Sequence, residues 1–273
     1  MTQVDEVFIQ TVRDYHQNHG RHSLPWRKTH NPYRILVSEI MLQQTQVERV
    51  IPKYQEFLKR FPTVSTLAEG TLGEVLILWL GLGYNRRAKH LYETAQAIVT
   101  IHKGVWPKSY EAMLTLPGVG PYTAGAVCAF AFNTPVPVVE TNIRTVYIHH
   151  YFPYTEAVTD TMLMPIIART LNTDNPRLWY AALMDYGSHL KATIGNKSRQ
   201  SRHHTKQSSF KGSDRFIRGS ILRHLAHVKI GLTKQGLCSV LMGTERERVV
   251  LQLGKLLNEG LVSKQGSRYR LPI

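Results

Sequence analysis

Leu116-Pro117-Gly118-Val119-Gly120-Pro121-Tyr122-Thr123-Ala124 is the stretch on which the reading of this chain turns. Two glycines around one apolar residue let the backbone turn tightly between helices, and the N–H groups exposed at the next helix start can grip a phosphate. A helix of small residues, Gly125 to Phe132, follows directly. On its own the string also fits an ordinary helix–helix turn.

Working outward, apolar residues recur at helical spacing through most of the first 195 positions, as in Val4, Val7, Phe8, Val12 and Tyr15, then Ile51, Tyr54, Phe57, Leu58 and Phe61. Convincing alternating strands are absent there. Pro and Gly punctuate the run at Pro25, Pro32, Pro52, Pro62, Gly81-Leu82-Gly83, Pro107, Pro117-Gly118, Pro135, Pro153 and Pro176, cutting it into many short helices. The expected fold class is all-α. After Gly195 the composition shifts: from Lys191 to Arg223 nine Lys or Arg stand against one acid, Asp214. This reads as a linker or a strap that hugs a polyanion. Beyond it, Arg215 to Leu225, Leu232 to Leu241 and Thr244 to Glu259 read as helices, and Leu261 to Leu271 as two short strands around a glycine turn. Three helices and a hairpin resemble a winged helix-turn-helix; a small packing or dimerisation module is the alternative. The expected boundaries are a helical domain over 1–195, a basic linker over 196–213 and the winged-helix-like module over 214–273.

With 273 residues, 42% hydrophobic and only 19% charged, the chain can bury a core and is not a solvated low-complexity polymer. A formal charge of +15 points to a polyanionic partner, nucleic acid ahead of an anionic membrane surface. The two cysteines, Cys128 and Cys238, offer no disulfide framework. No stretch approaches the ~18 apolar residues of a membrane span, so the expectation is a soluble protein without a membrane partner.

A second constellation lies upstream: Leu24-Pro25-Trp26-Arg27, Pro32-Tyr33, and Ser38-Glu39-Ile40-Met41-Leu42-Gln43-Gln44-Thr45-Gln46-Val47. Glu39 sits among Ile35, Leu36, Val37, Ile40 and Met41, where desolvation would raise its pKa and favour a proton donor near neutral pH. Between the two constellations stands Leu80-Gly81-Leu82-Gly83-Tyr84 with Arg86, Arg87 and Lys89. Together these strings resemble the adenine DNA glycosylases of the MutY type, within the helix-hairpin-helix glycosylase superfamily, over roughly residues 4 to 190. The resemblance implies two helical subdomains, one of about residues 24–133 inserted between the N-terminal helix and residues 134–195. It implies that Glu39 protonates the purine ring nitrogen and that Trp26 and Arg27 flank the pocket for a flipped adenine. Gln43 and Gln44 would fill the gap in the duplex, and Leu82 and Tyr84 would wedge beside the orphaned partner base. Gly118, Val119 and Gly120 would cradle a phosphate. An extruding enzyme needs such plugs, because a glycosidic bond inside a stacked helix is unreachable.

The chain departs from that family in several places. Pro137-Val138-Val139-Glu140-Thr141-Asn142 carries Glu140 where the family has its catalytic aspartate; Glu140 is expected to stabilise the oxocarbenium-like transition state, with Asn142 orienting it or its water. Tyr122 stands where bifunctional relatives carry a Schiff-base lysine, so a monofunctional enzyme is expected, with Tyr122 lending its hydroxyl to the carboxylate or a phosphate. Lys191, Ser198, Ser201 and Gln207 occupy the four thiolate positions of the family's iron–sulfur loop, so no cluster and no other cofactor is expected. His203-His204 with His189 make a poor zinc site. The basic run from Lys197 to Lys211, with Lys197, Arg199, Arg202 and Lys206, is expected to contact phosphates in place of the cluster loop. Residues 214–273 are too few for the Nudix-like domain that such enzymes usually append.

The expected function is hydrolysis of the N-glycosidic bond of adenine mispaired with guanine or 8-oxoguanine, in base excision repair. The partner is mismatch-containing double-stranded DNA, acted on by a monomer in the cytoplasm at a prokaryotic-type nucleoid. One alternative keeps the mechanism and changes the base to thymine or uracil opposite guanine, or hypoxanthine. The other is a non-catalytic lesion-binding or winged-helix DNA-binding protein.

Overall fold

A computed structural model describes residues 1–202 and 209–273 of the chain. In chain order the helices are α1 (Gln3–His19), α2 (Pro32–Leu42), α3 (Val47–Arg60), α4 (Val64–Glu69), α5 (Leu72–Trp79), α6 (Arg86–Thr100), α7 (Tyr110–Leu114), α8 (Pro121–Phe132), α9 (Thr141–Tyr151), α10 (Asp160–Thr170), α11 (Pro176–Thr193), α12 (Asp214–Ala226), α13 (Lys234–Val240) and α14 (Arg246–Asn258). Short 3₁₀ turns lie at Pro25–Lys28 and Lys197–Gln200, and three strands, β1 (Leu232–Thr233), β2 (Ser263–Gln265) and β3 (Arg268–Arg270), complete the fold. The all-α expectation is met, but Pro52 does not end a helix: it lies inside α3, whose Val50, Tyr54 and Phe57 are buried, so packing of the apolar face outweighs the missing N–H. Hydroxyl side chains set many helix starts: Thr63, Thr71, Ser109, Thr159, Ser213 and Thr233 each accept a hydrogen bond from a backbone N–H of the first turn.

The chain forms two compact units. The first comprises Met1–Glu39, Pro107–Thr115 and Val119–Lys206. There α11 packs against α1, α8 and α9. Its buried Trp179 and Tyr180 share a core with Phe8 and Tyr147, and the Phe8 ring centroid lies 5.0 Å from that of Tyr147 and 5.9 Å from that of Trp179.

The second unit comprises Ile40–Trp106, Leu116–Gly118 and Gln207–Ile273. Helix α6 packs on α4 and α5, and Phe57, Phe61 and Trp79 are fully buried. Each such ring stabilises the unit by roughly 1.5–3 kcal/mol on area grounds. The C-terminal residues belong to this unit: α12 packs on α5 as well as on α14, and Gly73 N donates to Pro272 O at 2.9 Å. A Cβ at Gly73 would overlap that carbonyl, so the C-terminus docks where α5 has no side chain.

Residues 232–241 do not form the single helix expected from their pattern. They begin with β1, which pairs antiparallel with β3 and makes a sheet of order β1-β3-β2. The cause is Gly231, in the left-handed region at φ 74°, where a Cβ would overlap Tyr269 O. A strand of two residues has no alternation to read. Among the described residues no helix is long and apolar enough to cross a membrane.

Candidate functional site

In the first unit Tyr122, Arg27 and Glu140 act on Glu39. Helix α2 starts at Pro32, with Asn31 Oδ1 accepting from Arg34 N, and its run Ile35 to Met41 is buried. Glu39 is carried into this apolar environment and is 6% exposed. Burial pushes its carboxyl up to about 7, against the hydrogen bond from Tyr122 and the charge of Arg27, with Glu140 adding repulsion. Tyr122, in the first turn of α8, donates its hydroxyl to Glu39 Oε2 at 2.8 Å. Burial and the neighbouring Glu39 hold the Tyr122 phenol well above its ordinary pKa, so it stays a donor.

Glu140 stands at the start of α9. Its Oε1 accepts from Asn142 N at 2.6 Å and Ile143 N at 2.8 Å, capping the helix, while Oε2 accepts from Asn142 Nδ2 at 3.3 Å. Two small residues bring this corner together. A Cβ at Gly125 on α8 would overlap Val138, and one at Gly187 on α11 would overlap the Asn142 backbone. One turn beyond Gly187, Lys191 Nζ donates to Asn142 Oδ1 at 2.8 Å. Burial lowers the Lys191 pKa, and the Glu140 charge works the other way. The sequence assigned Lys191 no part in this site; its place depends on the α9–α11 packing, which has no local pattern.

Arg27 is anchored inside the first unit. Its guanidinium donates to Ala181 O and Asp185 Oδ1, each at 3.3 Å, and lies over the Phe130 ring at 5.8 Å. Burial opposes ionisation of Asp185, but His16, Arg27 and Arg21 hold it well below the usual carboxylate range. Trp26 is buried at 7% exposure. Lys197 and Arg199 lie on the second 3₁₀ turn, which packs on α9 and is pinned by Asn196 Oδ1 accepting from Ser198 N and Oγ. Arg202 N donates to Val158 O. Arg199 and Arg202 are exposed; Lys206, with His203, His204 and Gln207, lies outside the described residues.

In the second unit, Gln43 and Gln44 form a turn after α2, and Gly81 to Tyr84 a loop after α5. Gln44 and Tyr84 both take left-handed backbone, at φ 54° and 47°. What holds them is Arg87. Its guanidinium donates to the carbonyls of Ile40, Met41, Gln43, Leu82 and Gly83 and to Thr45 Oγ1, at 2.6 to 3.2 Å. Burial lowers its pKa to about 10. The Leu82 side chain is buried at 4% exposure, whereas Tyr84 is half-buried. Gln43, Gln44 and Tyr84 line one cavity of about 520 Å³ together with Arg215, Arg218 and Glu259 from the C-terminal residues. Those last three have no role legible in the sequence, because nothing local ties α12 or the end of α14 to a loop more than a hundred positions earlier.

Of the hairpin glycines, only Gly118 is conformationally required. It has φ 69°, and a Cβ there would overlap His90. Gly120 is extended at φ −86°, and a Cβ on it would meet nothing. The expectation that both glycines serve the tight turn is therefore corrected.

Comparison with known proteins places this geometry. The HhH-GPD superfamily of base excision DNA repair proteins matches residues 37–165. The adenine DNA glycosylase of Buchnera aphidicola subsp. Baizongia pistaciae is 46% identical over 145 residues, covering 53% of this chain and 41% of that protein. That of Mycolicibacterium smegmatis is 42% identical over 173 residues, covering 63% and 59%. The chain thus spans about half the length of the curated relatives it matches. Among solved structures, a thermostable thymine-DNA glycosylase superposes with TM-score 0.63 at 26% identity, covering 72% of this chain and 92% of that one. The match to the HhH-GPD superfamily of base excision DNA repair proteins runs through residues 37–165, which include Glu39, Tyr122 and Glu140.

Proposed function

We propose that the protein is a monofunctional adenine DNA glycosylase that hydrolyses the N-glycosidic bond of an adenine mispaired with guanine or 8-oxoguanine in duplex DNA. The observation that carries this reading is the buried Glu39 carboxyl, poised to hold a proton near neutral pH and bonded to Tyr122, with a second carboxylate, Glu140, interacting with it electrostatically. A buried carboxyl that holds its proton beside a second carboxylate supplies the acid and the anion that glycosidic cleavage needs. In the proposed reaction the adenine is extruded from the stack, and Glu39 gives its proton to a ring nitrogen of the base. The bond from C1′ to the base nitrogen then breaks with its electron pair leaving on the base. Glu140 stabilises the cationic sugar, water adds its oxygen to C1′, and the water's proton passes to a carboxylate. Tyr122 stands where a lysine would form a Schiff base, so the product is an abasic site without strand cleavage.

Several features support DNA as the partner. The net charge is +15, the N–H groups at the start of α8 lie behind a glycine whose missing side chain the protein does not fill, and Arg199 and Arg202 are exposed in the basic segment. We also propose that it works without an iron–sulfur cluster. At the positions matching cluster ligands, Lys191 is an ammonium bonded to Asn142 and Ser198 a hydroxyl bonded to Asn196. Neither can act as a thiolate.

The likeness to a thymine-DNA glycosylase favours one second reading, excision of thymine or uracil opposite guanine. A panel of duplexes carrying each mismatch separates the two by the base released. Adenine release with strand breaks appearing only after alkali is expected; a borohydride-trapped protein–DNA adduct would overturn the monofunctional claim. If wild type is as inert as Glu39→Gln on every duplex yet still binds, the enzyme reading is wrong.

A further inference from the structure

We propose that Lys191 is a positioning residue for the reaction: its ammonium fixes which way round the Asn142 carboxamide stands, and so aims the amide N–H groups at the Glu140 carboxylate. This rests on the proposed glycosylase function and deepens it, because it gives a lysine of α11 the task of holding the anion that stabilises the sugar.

A carboxamide has a donor end and an acceptor end of nearly equal size, so shape alone does not choose between its two orientations. Chemistry makes the choice here. On one side stands Glu140 Oε2, 3.3 Å from Asn142 Nδ2, which as a carboxylate oxygen can only accept. On the other stands Lys191 Nζ, 2.8 Å from Asn142 Oδ1, which as an ammonium can only donate. Turned round, the carboxamide would set oxygen against oxygen and nitrogen against ammonium, and both bonds would be lost. The Lys191 bond is the shorter of the two and comes from a charged donor, so it dominates the choice.

Glu140 depends on this arrangement. Its Oε1 is committed to the first turn of α9, where it accepts from Asn142 N and Ile143 N, and Oε2 is held by Asn142 Nδ2. Backbone packing delivers the lysine: a Cβ at Gly187, one turn earlier on α11, would stand 2.5 Å from Asn142 O. Arg144, the cation that repels Lys191, is turned to Asp160 through two bonds at 2.8 Å and does not compete for Asn142. Lys191 is half-buried with its bond directed inside the protein, whereas Arg199 and Arg202 are exposed.

The test follows single-turnover base release by the full chain, on the mismatched duplex from which wild type releases base fastest, for Lys191→Met, Asn142→Ala and the double variant. Lys191→Met should slow release about tenfold or more, the usual size of a hydrogen bond from a charged donor, with duplex affinity and melting temperature close to those of wild type. Because Lys191 acts through Asn142, the double variant should be no slower than Asn142→Ala. Losses that multiply would overturn the proposal, as would a loss of affinity with a shallower salt slope, which is the mark of a phosphate contact. A second measurement needs no catalysis. By NMR, the Asn142 carboxamide protons of wild type should exchange with solvent about tenfold more slowly than those of exposed Asn258, and Lys191→Met should remove most of that difference. Equal exchange at the two asparagines in wild type would overturn the proposal even if the variants fail to fold. Slow exchange that depends on Lys191, in a protein that releases no base from any duplex, would sink the glycosylase reading and leave the positioning contact standing.

Discussion

The two units handle charge in opposite ways. In the first, a carboxyl is buried until it holds a proton near neutrality: Glu39 is surrounded by the apolar side of α2, with one phenol as its hydrogen-bond partner. In the second, a guanidinium is buried with both of its terminal nitrogens engaged. Arg87 donates to six oxygens and remains a cation even though burial lowers its pKa. The difference lies in the number of partners. One hydrogen bond leaves the carboxyl protonated near neutrality and produces a titratable group for chemistry, whereas six hold the guanidinium charged despite its burial and produce a rigid post for loops.

Glu39→Gln should make the largest difference to activity, lowering base release by about 10²- to 10⁴-fold, the usual worth of a positioned acid. The same change should raise stability at alkaline pH. The folded carboxyl binds its proton more tightly than the unfolded one, so its contribution is fully present below about 4.5 and is lost as pH rises through about 7. The shift corresponds to about 3 kcal/mol. Glutamine has no such ionisation, and thermal melts at pH 5 and pH 8.5 should show a smaller loss for the variant than for wild type. Base release by wild type should decline above pH 7; a rate flat to pH 9 would break the assignment of Glu39 as the acid.

The comparison sharpens at Arg87. Arg87→Met strands the buried carbonyls of Ile40, Met41 and Leu82 and should cost about 3 kcal/mol or more in a urea melt. At Glu140 a smaller structural effect is expected, because only the cap of α9 is lost. Glu140→Ala should cost about 1 kcal/mol of stability yet reduce base release about a hundredfold. Glu140→Asp can still cap the helix and should keep most of both. If alanine and aspartate behave alike in base release, Glu140 is a cap and nothing more.

These expectations draw unequally on the sequence. Glu39 was legible because burial of a helix face follows from consecutive apolar residues, and Tyr122 because a proline and two glycines fix where α8 begins. The cap formed by Glu140 was harder to see. Val138 and Val139 lie outside any regular element and obscure the helix start, which depends on Gly125 letting that segment lie against α8. Lys191 and Arg215 were not legible as site residues at all. Each reaches its partner across a long sequence separation, 49 positions to Asn142 and 131 to Tyr84, and a cation in a basic segment looks the same whether it faces solvent or a site. Leu82 shows the reverse: its string matches a loop that wedges into DNA, but in this structure the side chain is buried and its carbonyl accepts from Arg87.

The smallest expected effect on stability, and the clearest separation of fold from function, is at the hairpin glycines. Gly118→Ala must place a Cβ against His90 and hold an L side chain at φ 69°, so it should destabilise by a few kcal/mol whatever the protein binds. Gly120→Ala meets no atom of the protein and keeps an ordinary extended backbone, so in free protein it should cost no more than about 1 kcal/mol, the difference between alanine and glycine as a helix cap. If a phosphate approaches the N–H groups at the start of α8, that same methyl stands in its way. DNA affinity should then fall about tenfold at low salt, with a melting temperature close to that of wild type. Equal affinity for wild type and Gly120→Ala would mean that the backbone at α8 meets no phosphate, and the contact would have to be sought along the arginines after the second 3₁₀ turn.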